Sequence, residues 1–349
     1  MPIVSFMPYY PDKEVDRATA NFHLWNWWCY REKQVPDPLI RTYLDKYFAL
    51  YRRADGGVEQ RIAIISSSDV GTFREEAEVA GRQISRFANV VMASHLFELP
   101  VEKNDGRAIC TSDNFVALCQ EFKPGAADPH LSFSFGSYVR PIVTGSWDRL
   151  LFTTPQSITD LGPCRPELTI LSHLSTLCSE MGGPVNRLFR SLEWVRLAFA
   201  NYEDLEPSAR IIAMATAFEV LLGFPEQDKI RYFAGTVNRY IPPNRLPTTT
   251  LLWGRGRASG VTENTVGWWC REFYNFRNRI VRGEEISETD FRNARGEEHL
   301  RIALSLFEEC IWGLLIELGK TLEEERARCF FSRSRWRAQL GLPDDVWYP

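Results

Sequence analysis

The spacing of apolar residues in the second half of the chain constrains the fold most strongly. From residue 186 onward, apolar side chains recur every three or four positions, which places them on one face of an α-helix. The pattern predicts five helices, over residues 186–202, 207–222, 230–241, 263–282 and 288–325. Pro207 suits a first helical turn and Gly223 suits a helix stop. We therefore expect this half of the chain to be an all-helical bundle.

The first half of the chain mixes strand and helix signals. Residues 61–66 form a short β-branched run after a Gly-Gly turn, and residues 131–135 and 138–143 alternate polar and apolar side chains. Each of these three segments predicts a strand. Helical spacing follows Pro38 and recurs over residues 72–96. These signals predict a mixed α/β module.

The two halves meet at a segment rich in glycine and proline, residues 161–166, which is the best candidate for a domain boundary. We expect a mixed α/β module over residues 1–162 and a helical domain over residues 163–349. The overall fold class is therefore α+β. A length of 349 residues agrees with two domains of about 150 residues each.

The composition excludes several classes of protein. Hydrophobic residues make up 44% and charged residues 25%, as in ordinary globular proteins, and the net charge of -4 argues against a uniformly basic surface. No segment has the roughly 18 consecutive apolar residues of a membrane span. The N-terminal residues lack the basic head and apolar run of a signal peptide. The eight cysteines are scattered, so we expect free thiols in a reducing cytoplasm and neither a metal site nor a cofactor.

The most informative segment, residues 273–283, reads Phe-Tyr-Asn-Phe-Arg-Asn-Arg-Ile-Val-Arg-Gly. Trp269, Phe273, Phe276 and Ile280 step by four, three and four positions, and so form one buried stripe of a helix. Arg277 borders that stripe, and Arg282 lies in the last turn. Gly283 then suits a left-handed cap, which would hold position 282 at a rigid helix end.

This segment resembles the active-site motif of HEPN-type RNA-cutting proteins, often written Arg-Asn-x-x-Val-His-Gly. The Apea-like HEPN subgroup also has an aromatic-rich approach to the motif and a preceding helix similar to residues 213–222. The resemblance covers roughly residues 184 to 325. It implies a metal-independent endoribonuclease whose histidine handles the proton of the ribose 2′-hydroxyl while the arginine stabilises phosphate charge. Cleavage of this kind leaves a cyclic phosphate end.

The resemblance assigns the catalytic positions to Arg277, Asn278 and Arg282, and Arg282 stands where the family has its histidine. Arginine has a pKa above about 12, so it can bind phosphate but cannot accept a proton. We therefore expect an RNA endonuclease-like protein that is catalytically impaired. The alternative is a non-catalytic HEPN scaffold that binds RNA, nucleotide or a partner protein. The simplest reading remains a surface helix whose arginines are only solvated.

Two further residues near the motif carry hypotheses. Glu219 is the only acid between residues 211 and 222, and it could orient Arg277 or be a partly exposed residue near a helix end. His299 lies in the next helix and could in principle replace the missing base. Its charged neighbours predict an ordinary surface position instead.

Basic residues outside the motif are candidates for RNA contact. The tail, residues 326–337, combines five arginines with three aromatic residues, which suits either RNA binding or an amphipathic end helix docked by its aromatics. The loop over residues 253–260 is basic but lacks the ending of a P-loop. The arginines that we expect to contact RNA are Arg279, Arg326, Arg328, Arg333, Arg335 and Arg337.

The resemblance also implies a biological setting. HEPN active sites usually assemble where two motif helices meet across a dimer, so we expect a homodimer or a defence complex in which this chain supplies half of a composite site. Such proteins act in antiviral defence or as toxins. The N-terminal module would then be a sensor or regulator, with RNA as the partner in the cytoplasm and no membrane association.

Overall fold

A computed structural model gives the fold of this chain, which divides after Met181. The residues that it describes are 3–67, 77–97, 111–122, 130–135, 138–144, 152–153, 167–200, 205–240, 265–292 and 298–321. They form one compact unit up to Met181 and a second from Gly182 onward. The boundary expected at residue 162 lies outside the described residues.

The first unit contains an antiparallel sheet of seven strands. These are β1 (Ile3–Met7), β2 (Asp16–Ala18), β3 (Phe22–Asn26), β5 (Ala63–Ser67), β6 (Leu118–Glu121), β7 (His130–Phe135) and β8 (Tyr138–Thr144), while β4 (Tyr51–Arg52) and β9 (Phe152–Thr153) pair separately in parallel. The order across the sheet is β2-β3-β5-β1-β6-β7-β8. In the central strand β1, Ser5 lies opposite Ile65 on one side and Cys119 on the other. All five β1 residues are buried, so both faces of the sheet are covered at its centre.

Helices cover the sheet through an aromatic core. The described helices of this unit are α1 (Trp27–Gln34), α2 (Pro38–Phe48), α3 (Ala77–Phe97) and α4 (Leu168–Thr176). Asp37 starts α2 by accepting a hydrogen bond from the backbone N–H of Leu39. Tyr47 and Phe48 then pack edge-on against Phe6 of β1, with ring centroids 5.8 and 5.0 Å apart. Burial of these rings is what fixes α2 on the sheet.

The elements predicted for the first unit are confirmed where the structure describes them. The helix after Pro38 is α2, and the three predicted strands are β5, β7 and β8, with ends shifted by one or two residues. The helix predicted over residues 72–96 is α3, although residues 72–76 lie outside the described part. The sequence pattern did not predict α1 or the strands β1, β2, β3, β4, β6 and β9. Strand β1 is buried along its whole length and so shows no alternation in burial, and β2 is an edge strand of largely exposed residues.

The described part of the second unit is a helical bundle arranged around one central helix. Its helices are α5 (Gly183–Ala198), α6 (Pro207–Leu222), α7 (Lys229–Tyr240), α8 (Thr265–Val281) and α9 (His299–Glu317). The central helix is α6, which packs along α5 and also contacts α7, α8 and α9. Phe218 of α6 meets Phe233, Phe273 and Phe307, one ring from each of these three helices, at centroid distances of 4.9, 6.4 and 5.3 Å.

The bounds of α6 agree with the prediction from sequence. Pro207 is its first residue, and Gly223 follows its last with a φ of 63°. Glycine adopts this left-handed conformation without a steric cost. The backbone N–H of Phe224 then donates to the carbonyl of Glu219 at 3.1 Å, which closes the helix end and fixes the position of Phe224.

The helix predicted over residues 288–325 is wrong in its extent. Glu288–Phe291 forms a single 3-10 turn, and α9 begins at His299 and ends at Glu317. The parts of the prediction that lie outside the described residues are 293–297 and 322–325.

Local hydrogen bonds explain the 3-10 turn and the C-terminal end of α9. At the 3-10 turn, the backbone N–H and the hydroxyl of Ser287 both donate to Asp290 Oδ2 at 2.8 Å, which gives this segment an alternative to the helix. At the other end Gly319 has a φ of 66°, and the N–H of Lys320 donates to the carbonyl of Leu315 at 2.9 Å. This is a glycine cap that terminates the helix.

Helices α7 and α9 approach each other closely at Gly313. A Cβ atom at this position would lie 2.1 Å from ring carbon Cδ1 of Tyr240, so only glycine fits. The Tyr240 hydroxyl donates to Glu317 Oε2 at 3.0 Å. Burial, and then this carboxylate, raise the pKa of Tyr240 to about 12.

The chain therefore has the predicted α+β architecture: a sheet-containing first unit is followed by a second unit that is mainly helical over its described residues. Among the described helices, none combines the length and the apolar character needed to cross a membrane.

Candidate functional site

The C-terminal end of α8 carries the motif residues and is closed by a glycine cap. Gly283 has a φ of 72°, and its N–H donates to the carbonyl of Ile280 at 3.0 Å. The N–H of Glu284 donates to the carbonyl of Arg279 at 3.1 Å. These bonds satisfy carbonyls that a helix end leaves open. The predicted glycine stop is confirmed, so the side chains of the last turn start from a fixed backbone.

The buried side of α8 is the predicted aromatic stripe. Trp269, Phe273 and Phe276 are buried, whereas Ile280 is only half-buried. The rings of Trp269 and Phe273 stack with centroids 4.9 Å apart and planes inclined by 14°. This packing sets the rotation of α8 about its axis, and with it the direction in which the motif side chains leave the helix.

Arg277 is held by three groups. Its Nη2 lies 3.4 Å from Glu219 Oε1, and its Nη1 donates to Asn278 Oδ1 at 3.1 Å. The guanidinium carbon lies 5.5 Å from the ring centroid of Tyr274, within cation–π range. The side chain is 22% exposed, and its buried Nε has no hydrogen-bond partner among the described residues. The guanidinium is therefore oriented before any ligand arrives.

Glu219 connects α6 to both α7 and α8. Its Oε1 accepts a hydrogen bond from the Tyr274 hydroxyl at 2.7 Å, and its Oε2 accepts one from Lys229 Nζ at 3.2 Å. Burial, and then the Glu219 carboxylate, raise the pKa of Tyr274, so its hydroxyl keeps its proton and stays a donor. The contact between Glu219 and Arg277 that the sequence suggested is present, and the carboxylate is shared by Lys229 and Arg277.

An open groove runs between the first turn of α7 and one face of α8. Its volume is about 510 Å³, within the range of small-ligand sites. The residues that line it are Asp228, Lys229, Ile230, Arg231, Arg271, Tyr274, Arg277 and Asn278. Four of these side chains are cationic and one is acidic. A groove with such an excess of positive charge attracts anionic ligands.

Three cations of this groove were missed by the sequence analysis. Arg271 lies three residues before Tyr274 and seven before Asn278, and this spacing puts all three on one face of α8. That periodicity was a usable signal. Lys229 and Arg231 come from α7, and no local pattern links them to α8, because the contact between two helices depends on how the bundle packs.

Arg282 does not line the groove. Its side chain is 73% exposed, and its ion-pair partner is Glu284 at 3.9 Å. The structure thus brings together three of the four residues assigned to catalysis, Glu219, Arg277 and Asn278, whereas the fourth extends into solvent from the helix end.

Arg279, assigned to RNA contact, is occupied by acids of its own chain. Its Nη1 donates to Asp290 Oδ1 at 2.7 Å and its Nε donates to Glu284 Oε2 at 3.3 Å. The Arg279 bond is the largest cause that lowers the pKa of Asp290 to about 2. Arg279 therefore ties the 3-10 turn Glu288–Phe291 to the end of α8.

His299 corrects another expectation, because it is buried and not at the surface. It lies against the rings of Trp269, Phe273 and Phe276, at centroid distances of 6.2, 5.9 and 5.5 Å. Its Nδ1 has no hydrogen-bond partner among the described residues, and burial lowers its pKa to about 4. The signal in the sequence was its spacing to Ile302 and Leu306 on the buried face of α9, which its charged neighbours obscured.

The remaining basic candidates lie outside the described residues. They are the loop over residues 253–260 and the tail arginines Arg326, Arg328, Arg333, Arg335 and Arg337. In the part of the chain that the structure describes, no group of three or more His, Cys, Asp or Glu side chains is placed to hold a metal ion. The described cysteines, which are Cys29, Cys119, Cys178, Cys270 and Cys310, are free thiols.

No protein-family model, curated protein or solved structure matches this chain.

Proposed function

We propose that the second unit binds RNA through phosphate groups in the groove between α7 and α8, and that it does so without cleaving the RNA. One observation carries the proposal: four cationic side chains from two helices converge on a single open groove that contains one acid. Basic grooves of this kind follow the phosphate backbone of a nucleic acid.

The state of Arg277 supports phosphate as the group that is bound. A guanidinium presents a planar fork of donors that matches two phosphate oxygens. Glu219 and the Tyr274 ring hold this fork in place, so less side-chain entropy is lost on binding. Asn278 Oδ1 accepts from Arg277, which turns its amide NH₂ away from that contact and leaves it as a donor for a ligand oxygen.

The absence of a suitable base supports binding without cleavage. A guanidinium is a poor proton acceptor, and Arg282 lies outside the groove. No histidine is among the described residues that line the groove. His299 is buried against aromatic rings, so it does not reach a ligand at the surface.

The wider setting belongs to the same proposal and comes from the motif resemblance. In this reading the second unit is a HEPN scaffold of nuclease ancestry, which acts in an antiviral defence or toxin system in the cytoplasm. It works as a homodimer or as one subunit of a defence complex, and the first unit acts as its sensor or regulator. An endonuclease whose activity is weakened by Arg282 is the runner-up.

Binding is tested by fluorescence anisotropy of the full-length chain with a labelled single-stranded RNA. Arg277→Ala and Lys229→Ala should each weaken binding roughly tenfold, and each should lower the slope of log affinity against log salt by about 0.7. Arg190, an exposed residue of α5, provides the matched control Arg190→Ala. Equal losses in all three variants, or no binding by the native chain, would refute the proposal.

Cleavage is tested by incubating the native chain and the Arg282→His variant with the same RNA and analysing the products on a gel. The native chain should leave the RNA intact. Products with cyclic phosphate ends from the native chain would favour the endonuclease instead. If such products come only from the variant, they would support nuclease ancestry together with loss of the base.

A further inference from the structure

A cluster of aromatic rings continues from the groove. Tyr274, which lines the groove, packs against Phe224 with ring centroids 6.0 Å apart, and Phe224 packs edge-on against Tyr232 at 5.6 Å. On the same Tyr274 ring lies the guanidinium of Arg277, at 5.5 Å. Phe224 and the guanidinium of Arg277 are therefore both neighbours of the Tyr274 ring, which connects an aromatic side chain to a phosphate-binding group.

The position of Phe224 is fixed by the backbone. It directly follows the left-handed Gly223, and its N–H donates to the carbonyl of Glu219, the residue whose side chain contacts Arg277. Tyr232 is fixed as well, because its hydroxyl donates to the carbonyl of Leu222 at 3.1 Å. Phe224 also packs against Phe233, at a centroid distance of 5.5 Å, but the residue is only half-buried and so remains partly open to solvent. A rigid, partly exposed ring suits stacking because little ordering is required.

We propose that the groove binds single-stranded nucleic acid, with one base stacked on Phe224 while an adjacent phosphate is bound by Arg277. This inference rests on the proposed function, and adds to it the class of ligand and a second contact. Stacking of bases on aromatic side chains beside a basic groove is how single strands are bound independently of sequence. A duplex keeps its bases stacked on one another, so it cannot use this contact.

The test compares three labelled probes: a single-stranded RNA, a duplex of the same sequence, and inorganic polyphosphate, which has the charge but no bases. Phe224→Leu keeps an apolar side chain but removes the stacking face. It should weaken single-strand binding about fivefold or more and leave polyphosphate binding unchanged. Phe224→Trp should retain single-strand affinity. Trp194, a partly exposed aromatic residue of α5, gives the control Trp194→Leu, which should leave the binding of all three probes unchanged.

The outcomes separate this inference from the proposed function. If Phe224→Leu weakens the single strand and polyphosphate equally, or weakens neither, Phe224 is only an apolar contact of the α6 cap and the stacking site is refuted. Tighter binding of the duplex than of the single strand would refute it too. If Arg277→Ala still weakens both RNA and polyphosphate in those cases, the phosphate groove stands. Failure of the native chain to bind any probe overturns both proposals.

Discussion

Two faces of α8 differ in how their positive charges are compensated. The groove face consists of Arg271, Arg277 and Asn278, and it adjoins Lys229 and Arg231 of α7. The clamp face consists of Arg279, which is bound by Asp290 and Glu284. Both faces belong to the same helix, and Arg277 and Arg279 are only two residues apart in the sequence.

The difference teaches that the density of arginine in a sequence does not identify a binding surface. On the clamp face the chain supplies its own acids, so the arginine stabilises a turn. On the groove face Glu219 lies behind the cations and is shared between two of them, which leaves positive charge toward the open side. The position of the acids decides which arginines are available to a ligand.

The largest expected effect comes from displacing α7, which forms one wall of the groove. Gly313→Ala places a methyl group against the Tyr240 ring, which must push α7 away from α9. Overpacking of this kind costs about 1–3 kcal/mol, and the very short contact predicts the upper end. Hydrogen exchange of the full-length chain should be faster in α7. RNA affinity, measured by fluorescence anisotropy, should be lower than for the native chain. Gly235→Ala in α7, where an added Cβ meets nothing within 4 Å, is the control.

The next effect concerns the buried side of α8, on which both faces depend. The pKa of His299 is about 4 in the folded chain and 6.5 for the free group, so between these values the unfolded chain binds more protons. Stability is therefore complete above about pH 6.5 and falls as the pH is lowered toward 4. At pH 5 the expected loss is on the order of 2 kcal/mol.

Urea unfolding at pH 7 and pH 5 measures this loss, with His299→Gln as the comparison. The variant should be less stable at pH 7 but should lose less between the two pH values, because it has no group to protonate. The same pH dependence in the variant and the native chain would assign the acid sensitivity to other residues.

Charge reversals inside and outside the groove test whether its positive charge is what binds RNA. Arg271→Glu and Arg282→Glu make the same change at two exposed positions, one within α8 and one just after its last residue, but only Arg271 lines the groove. Single-strand RNA affinity should fall roughly tenfold for the first variant and less than threefold for the second, because exposed charges are screened beyond about 8 Å at physiological salt. A larger loss for Arg282→Glu would show that RNA binds at the helix tip instead.

The smallest effect belongs to the clamp face. Arg279→Ala should lower stability by about 0.5 kcal/mol, the usual contribution of a partly exposed ion pair, and should leave RNA affinity within twofold of native. Faster hydrogen exchange over residues 284–291 would report the loosened turn. Because the pKa of Asp290 is about 2, the native contact is complete above about pH 4 and is lost as the pH falls toward 2. Loss of RNA binding in this variant would contradict the clamp assignment.

The parts of the fold that could be predicted are those determined locally. Pro207 and Gly223 bound α6 correctly, because a proline at a helix start and a left-handed glycine at its end act through their own backbone. The long helix predicted from Glu288 failed because Asp290 accepts hydrogen bonds from Ser287 and also from Arg279 of another element, and these contacts stabilise a 3-10 turn.

The candidate site divides in the same way. Glu219, Arg277 and Asn278 could be selected from the motif and its preceding helix. Lys229 and Arg231 could not, because they become neighbours of α8 only through packing of the bundle. His299 shares the helical spacing of the buried residues Ile302 and Leu306, so its burial could be predicted, although the charged residues next to it in sequence favour an exposed position.

The glycine cap after α8 has a consequence for how this protein can vary. It ends the helix through backbone bonds of Gly283 and Glu284, so the side chain at position 282 contributes little to folding. That position is a neutral site for stability: almost any residue can occupy it while the bundle stays intact. Exchange of arginine for histidine at position 282 should therefore leave the bundle intact, so a change of chemistry at the helix tip requires no compensating mutation.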